Sequence, residues 1–377
     1  GPRTPVWGYD GGSPGPLLRV RQGEELRVRL INGLPEPTAV HWHGVRLPNA
    51  MDGVPHLTQE PVGPGASFDY RFRPPDAGTH WYRPAGIAGD QIGRGLRGAL
   101  IVDETVPIAV DRDVVMIFED WRLTPDGRNE TGHHLTVNGG PAFELPARTN
   151  ERLRLRLINA AVTRTLALRF DRHTLLVVAV DGQPAEPFFV RDGRVVLGPG
   201  NRIDVFVDMT RGAGERASIL IEEAGVERPF AVVAYAGAPV RGAPLAEPGH
   251  LPPNPLPERL DLRTASRHDL PLDALAAYAP PLQERPPLFT VGRGRAVVLA
   301  FINRADFARA VHLHGHHFRL LDRLDDGWKP YWLDTLTMAG GQTDRIVFRA
   351  DNPGKWLVES RALIAPYAAT AGWFAVT

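Results

Sequence analysis

Cysteine is absent from all 377 residues, and lysine occurs only twice, at Lys329 and Lys355. Without a thiol the chain can form no disulfide, no zinc–thiolate site and no cysteine-ligated copper centre. The 43 basic and 43 acidic residues cancel, so no net charge attracts the chain to nucleic acid or to an anionic membrane. No apolar run reaches the roughly 18 residues of a membrane-spanning helix. We therefore expect no nucleic-acid partner and no membrane span.

The chain instead has 39 glycines and 36 prolines, placed largely at the ends of strand-like runs. Hydrophobic residues alternate with polar ones from residue 17 to 32 and again from 151 to 159, a pattern typical of half-buried strands. Such runs end in Ile-Asn at residues 31–32, 158–159 and 302–303, which lie 127 and 144 residues apart. This spacing predicts an all-β protein of three sandwich domains. The predicted bounds are 1–105, 106–240 and 263–377, with a linker at 241–262.

Two histidine pairs have the same spacing. His41 and His43 precede Gly44, and His312 and His314 precede Gly315. On a strand, residues two apart project from the same face, so each pair can present two imidazoles to one metal site. A single buried histidine is more often a core residue, but two matched pairs favour a metal site. Weaker candidates are His56, His80, His316 and His317. At the strand that corresponds to the histidine pairs, the middle copy has only Thr165 to Leu168, which predicts a spacer domain without ligands.

Seven motifs along the chain together resemble the multicopper oxidase family, the laccase-like proteins with three cupredoxin domains. They lie at residues 13–16, 41–44, 78–82, 137–139, 197–200, 312–316 and 350–354. The resemblance implies three consecutive cupredoxin-like Greek-key β-sandwich domains and descent from copper-dependent oxidoreductases. It also implies a periplasmic or secreted protein. The chain begins at Gly1-Pro2 without a signal peptide, so we expect a processed chain.

The resemblance also implies ligand positions, and half of the cluster ligands are replaced. The family's type-1 cysteine and one type-1 histidine correspond to Ser360 and Arg309, and a hydroxyl cannot serve in a soft copper–thiolate site. The four missing type-3 histidines correspond to Arg83, Ala85, Glu359 and Arg361. The retained metal-ligand candidates are His41, His43, His312 and His314, of which the family assignment makes His41 and His312 the type-2 ligands. We expect at most one copper ion in a type-2-like site, or none, and an ion pair between an arginine and Glu359 in the vacated volume.

Two functions are consistent with these residues. The first is a non-oxidase scaffold or binding protein, similar to the copper-free FtsP/SufI-type proteins of bacterial cell division. The alternative is a mononuclear copper-binding protein that stores, senses or carries copper, or has limited redox activity. Four-copper oxidase activity is predicted to be absent, and a serine hydrolase based on Ser360 is disfavoured because no histidine is near it in sequence. A protein partner is compatible with the first function, and the oligomeric state stays open.

Overall fold

The structure is a computed structural model that describes residues 6–85, 91–121, 134–278, 282–321, 327, 329–364 and 368–377. The described residues form three two-sheet β-sandwiches in chain order, which confirms the predicted all-β fold. In the part of the chain that the structure describes, helix is confined to short 3-10 turns at Asn49–Met51, Arg191–Gly193, Leu272–Ala274 and Leu282–Glu284. None of the described helices has the length and hydropathy needed to cross a membrane. The exact domain bounds stay a prediction.

The first sandwich pairs a four-stranded sheet with a two-stranded one. Its strands are β1 (Leu18–Arg21), β2 (Leu26–Ile31), β3 (His41–His43), β4 (Ser67–Phe72), β5 (Gly78–Arg83) and β6 (Gly98–Asp103). The sheet orders are β1-β6-β5-β3 and β2-β4. Leu26 and Leu30 on β2 point into the core with Trp42, Tyr70 and Leu100. Because Trp42 faces this core, the histidines on either side of it face away from it, toward the third sandwich.

The middle sandwich contains a six-stranded and a five-stranded sheet, in the orders β13-β12-β15-β10-β7-β8 and β14-β11-β16-β17-β9. Its strands are β7 (Arg112–Trp121), β8 (His134–Val137), β9 (Phe143–Ala147), β10 (Glu151–Asn159), β11 (Leu166–Phe170), β12 (Leu176–Val180), β13 (Gln183–Phe189), β14 (Arg194–Leu197), β15 (Arg202–Met209), β16 (Arg216–Glu223) and β17 (Val226–Tyr235).

Strand β10 departs from the sequence expectation. Alternation predicted leucines inside and arginines in solvent, but every residue of β10 is buried. The leucines face the middle core, whereas Arg154 and Arg156 are buried on the opposite face, where both pair with Asp204. A buried guanidinium is tolerated when its donors are paired. The arginine side of this strand is therefore an interface and not a solvent surface.

The third sandwich contributes two sheets, β18-β21-β25-β23 and β19-β27-β26-β22-β24, with β20 paired to β27. Its strands are β18 (Ser266–Pro271), β19 (Ala276–Ala277), β20 (Thr290–Val291), β21 (Ala296–Ile302), β22 (Arg309–Leu313), β23 (Phe318–Leu320), β24 (Thr335–Met338), β25 (Thr343–Arg349), β26 (Gly354–Ala362) and β27 (Ala369–Val376). Strand β22 lies between β26 and β24 and carries His312 toward the first sandwich.

Candidate metal centre

The structure brings all four predicted histidines into one buried cluster between the first and third sandwiches. Strand β3 pairs with β5, so that His41 lies opposite Arg83. Strand β22 pairs with β26, so that His312 lies opposite Glu359. The Nε2 atoms of His41 and His312 are 3.1 Å apart. The two motifs, 271 residues apart in the chain, thus meet at one point.

The hydrogen bonds of these two rings determine which nitrogen carries the proton. Nδ1 of His41 lies 3.0 Å from the backbone carbonyl of Asp52, and Nδ1 of His312 lies 3.0 Å from that of Asp334. A carbonyl oxygen only accepts, so each Nδ1 is the protonated nitrogen and each Nε2 presents a lone pair. Two lone pairs facing each other across 3.1 Å repel unless a cation lies between them. Burial lowers the pKa of His41 to about 4 and that of His312 to about 3, so near neutral pH a proton would not occupy the position between them.

The spacing suits a metal ion. Two nitrogens at about 2.0 Å from one ion and 3.1 Å from each other subtend an angle of about 100°. His314 could supply a third nitrogen, because ligand atoms of His41, His312 and His314 all lie within 4.8 Å of one another. Nδ1 of His314 donates to Asp52 at 2.9 Å, and its Nε2 has no hydrogen-bond partner among the described residues. Asp52 therefore orients two of the three rings, the usual task of a carboxylate behind metal-binding histidines.

His43 has a different environment. Its Nε2 lies 2.9 Å from the hydroxyl of Thr335, and its Nδ1 accepts from Nε of Arg83 at 3.4 Å. The Thr335 hydroxyl also accepts from Nδ1 of His312 and donates to Asp334 at 2.7 Å. His43, His312 and Asp334 form a second group with metal-like spacing, but Thr335 already connects them by hydrogen bonds. The ligand role of His43 stays a prediction.

The expected ion pair is present and involves both arginines. Nη2 of Arg83 lies 2.7 Å from Oε2 of Glu359, and Nη2 of Arg361 lies 2.8 Å from Oε1. All three residues are buried. Burial alone would raise the pKa of Glu359, but the two guanidinium groups hold it well below its usual range. This trio touches His43 through Arg83 and approaches His314, whose Nε2 is 3.9 Å from Glu359. A fixed pair of cations therefore flanks the histidine cluster.

The other positions singled out in the sequence have different surroundings. Arg309 donates to the Ser360 hydroxyl at 3.3 Å, and Ala85 packs in an apolar cluster with Val54 and Leu57. His316 contacts the aromatic rings of the third core, and His317 lies 3.4 Å from Asp334. His80 is fully buried, and His56 pairs with Glu60 near the surface.

Sequence reasoning missed Asp52, Asp334 and Thr335, which orient the rings. Asp52 follows the 3-10 turn Asn49–Met51, and Asp334 precedes β24. Neither lies at a fixed spacing from a histidine pair, so no local pattern pointed to them. Only the pairing of β22 with β24 brings Thr335 opposite His312.

Comparison with known proteins agrees with this architecture. Three multicopper oxidase family models match residues 1–106, 114–233 and 253–377. Multicopper oxidase MmcO of Mycobacterium tuberculosis is 28% identical, over 95% of this chain and 80% of that protein. The crystal structure of Lac15 from a marine microbial metagenome is 35% identical with a TM-score of 0.87, covering 100% of this chain and 95% of that one. The multi-copper oxidase from Pseudomonas thermotolerans is 33% identical with a TM-score of 0.90 over the same shares.

Proposed function

The chain belongs to the multicopper oxidase family, and we propose that within it the protein binds at most one metal ion and does not act as a four-copper oxidase. The residues do not fit a full copper set. No thiol exists for a type-1 copper, and Arg83, Glu359 and Arg361 stand where the family resemblance implies type-3 ligands. An ion near either guanidinium would meet a repulsion on the order of several kcal/mol at intermediate dielectric.

The best-supported function is that of a mononuclear, type-2-like copper-binding protein that stores, senses or carries copper or has limited redox activity. The observation that carries it is the 3.1 Å approach of two Nε2 lone pairs, with both Nδ1 atoms bonded to carbonyl oxygens. His41 and His312 would hold the ion, with His314 as the third nitrogen. Histidine nitrogen suits copper and zinc alike. When bound, copper would supply a redox-active centre at this position.

A metal-free scaffold or binding protein of FtsP/SufI type is the second candidate. It is favoured by the charge balance around the cluster, because Arg83 and Arg361 offset the carboxylates of Glu359 and Asp52 without any ion. A divalent cation would add charge to a group of residues that is already neutral. For either function we propose a periplasmic or secreted location, on the strength of the family alone.

Titration of the metal-free protein with Cu²⁺, followed by electron paramagnetic resonance, separates the copper-binding function from the metal-free scaffold. Zn²⁺ gives no such signal, so its binding is measured by its displacement of Cu²⁺. We expect one Cu²⁺ per chain with a tetragonal signal, lost in His41→Ala and in His312→Ala. His56→Ala is the matched control, because His56 lies outside the cluster and pairs with Glu60. Copper uptake no greater than that of the double variant His41→Ala/His312→Ala would instead support the scaffold.

An oxygen electrode tests the absence of oxidase activity. The copper-loaded protein should consume no oxygen above the level of free copper when given a phenolic substrate, because no thiolate copper can accept the substrate's electrons. Turnover coupled to oxygen uptake would contradict the proposal.

A further inference from the structure

The middle sandwich contacts the site through several side chains: Asp181 and Asn201, which bond the backbone of Thr335, and Arg202 at the start of β15. Its Nη1 and Nη2 bond the two carboxylate oxygens of Asp334 at 2.8 and 2.5 Å. Its Nε donates to the carbonyl of Thr79 in the first sandwich at 3.1 Å, and Nη1 also donates to Gly200 in its own. Arg202 is fully buried. One guanidinium group thus contacts all three sandwiches.

The Arg202–Asp334 pair controls the hydrogen bonds of the histidines. A bidentate arginine fixes the plane of a carboxylate as well as its position. Asp334 in that plane accepts from the Thr335 hydroxyl at 2.7 Å, and this hydroxyl accepts from Nδ1 of His312 at 3.0 Å. Together with the backbone carbonyl of Asp334, which accepts from the same Nδ1 at 3.0 Å, these contacts hold the proton of His312 on Nδ1. The Nε2 lone pair is consequently kept toward His41.

The close approach of the middle sandwich also explains the glycine after His43. A Cβ at Gly44 would lie 2.1 Å from Nη2 of Arg202 and 2.5 Å from Asp334. In the middle sandwich, a Cβ at Gly200 would lie 3.1 Å from the ring of His43. The backbone of the middle sandwich therefore packs directly against the site, although it supplies no ligand.

We propose that Arg202 is a positioning residue of the metal centre: through Asp334 and Thr335 it holds His312 in the tautomer and orientation that present Nε2 to the ion. The middle sandwich is then more than a spacer. This inference rests on the proposed mononuclear site. In it, an arginine of the middle sandwich orients His312 of the third sandwich.

Arg202→Lys and Arg202→Gln test the proposal. Lysine keeps the charge but cannot form both hydrogen bonds to the carboxylate, and glutamine keeps neither. Both variants should therefore raise the dissociation constant for Cu²⁺ by about 10- to 100-fold and change the hyperfine splitting of the Cu²⁺ signal. Arg156→Lys is the matched control, because Arg156 is equally buried and pairs with Asp113 and Asp204 but not with Asp334. It should lose thermal stability to a similar degree and keep the wild-type affinity and spectrum. Wild-type binding in both Arg202 variants would overturn the proposal.

Thr335 provides a test that does not depend on the folding of the Arg202 variants. Thr335→Val removes the hydroxyl and should reproduce the weaker binding, whereas Thr335→Ser keeps the hydroxyl and should retain wild-type affinity. A Thr335→Val protein with wild-type affinity and spectrum would refute the relay from Arg202 to His312.

A metal-free measurement separates failure of this inference from failure of the proposed function. The ¹⁵N shifts of His312 should report a proton on Nδ1 in the wild type. In Thr335→Val only the backbone carbonyl of Asp334 still accepts this proton, so the share of the Nε2-protonated tautomer should increase. If the wild type binds no copper, the proposed function fails, and these shifts still decide whether the relay exists. Identical shifts in both proteins would reject the relay.

Discussion

Glu359 is the carboxylate shared by two buried guanidinium groups, those of Arg83 and Arg361. Glu359→Gln keeps the shape but leaves two cations in the protein interior without this counter-ion. Breaking a buried ion pair from one side destabilises by about 3–5 kcal/mol, and we expect a loss of this size in urea unfolding. Glu144→Gln is the control, because Glu144 pairs with Arg216 at the exposed surface and such pairs contribute little. Equal stability of the two variants would mean that the trio is hydrated.

His80 is predicted to make the protein sensitive to acid. It is fully buried with no hydrogen-bond partner on either ring nitrogen among the described residues. Burial, followed by the charge of Arg202, lowers its pKa to about 3. As the pH falls below about 6.5, this ring becomes protonated in the unfolded chain but stays neutral in the folded chain. The free energy of unfolding therefore decreases as the pH falls toward about 3.

His80→Leu should remove that contribution. Between pH 6.5 and 4.5 the pH dependence of the free energy of unfolding should decrease by up to about 1.4 kcal/mol per pH unit relative to wild type. Urea unfolding at a series of pH values measures it. His250→Leu, at an exposed position, serves as the control for the loss of an imidazole. A wild-type slope in His80→Leu would show that the folded protein protonates this ring.

At the scale of elements, the turn after β3 is constrained by the ion pair that packs against it. Gly44 has φ +84°, and Gly65 has a similar φ of +74° with open space around its Cβ position. An alanine at either position adds left-handed strain of about 1–2 kcal/mol. At Gly44 the methyl group also separates Arg202 from Asp334, so Gly44→Ala should cost at least about 3 kcal/mol in total. Thermal unfolding of the two variants compares them directly, and equal losses would show that the ion pair adjusts without penalty.

Elements differed in how far the sequence could predict them. The strand alternation and the His-X-His spacing are local, so β2, β3 and β22 could be located from neighbouring residues alone. The buried arginines of β10 could not, because their partner Asp204 lies on β15, about 50 residues away. The same holds for Asp52, Asp334 and Arg202. Their roles depend on which strands and domains meet, and no spacing rule in one sequence encodes that.

At the scale of the whole molecule, the three sandwiches contribute differently to one site. The first supplies His41 and the third supplies His312 and His314, while the middle supplies Arg202. The recurring Ile-Asn endings could predict three copies, but not that the third would fold back onto the first. The two histidine pairs suggested this contact between the first and third sandwiches only because each pair alone offers too few ligands for a metal site. Only the contacts between the sandwiches indicate that the outer two carry the ligand candidates and that the middle one orients them.

A shared ion should therefore couple the first and third sandwiches. At a free Zn²⁺ concentration 100 times its dissociation constant, binding adds about 2.7 kcal/mol to the folded state. We expect hydrogen exchange to slow by up to about 100-fold in β3 and in β22 together. The outer sheet of the middle sandwich, around β16, should change less because it touches no ligand. His41→Ala should abolish the effect on both strands. Protection of β22 alone in the wild type would instead mean that the third sandwich binds the ion by itself.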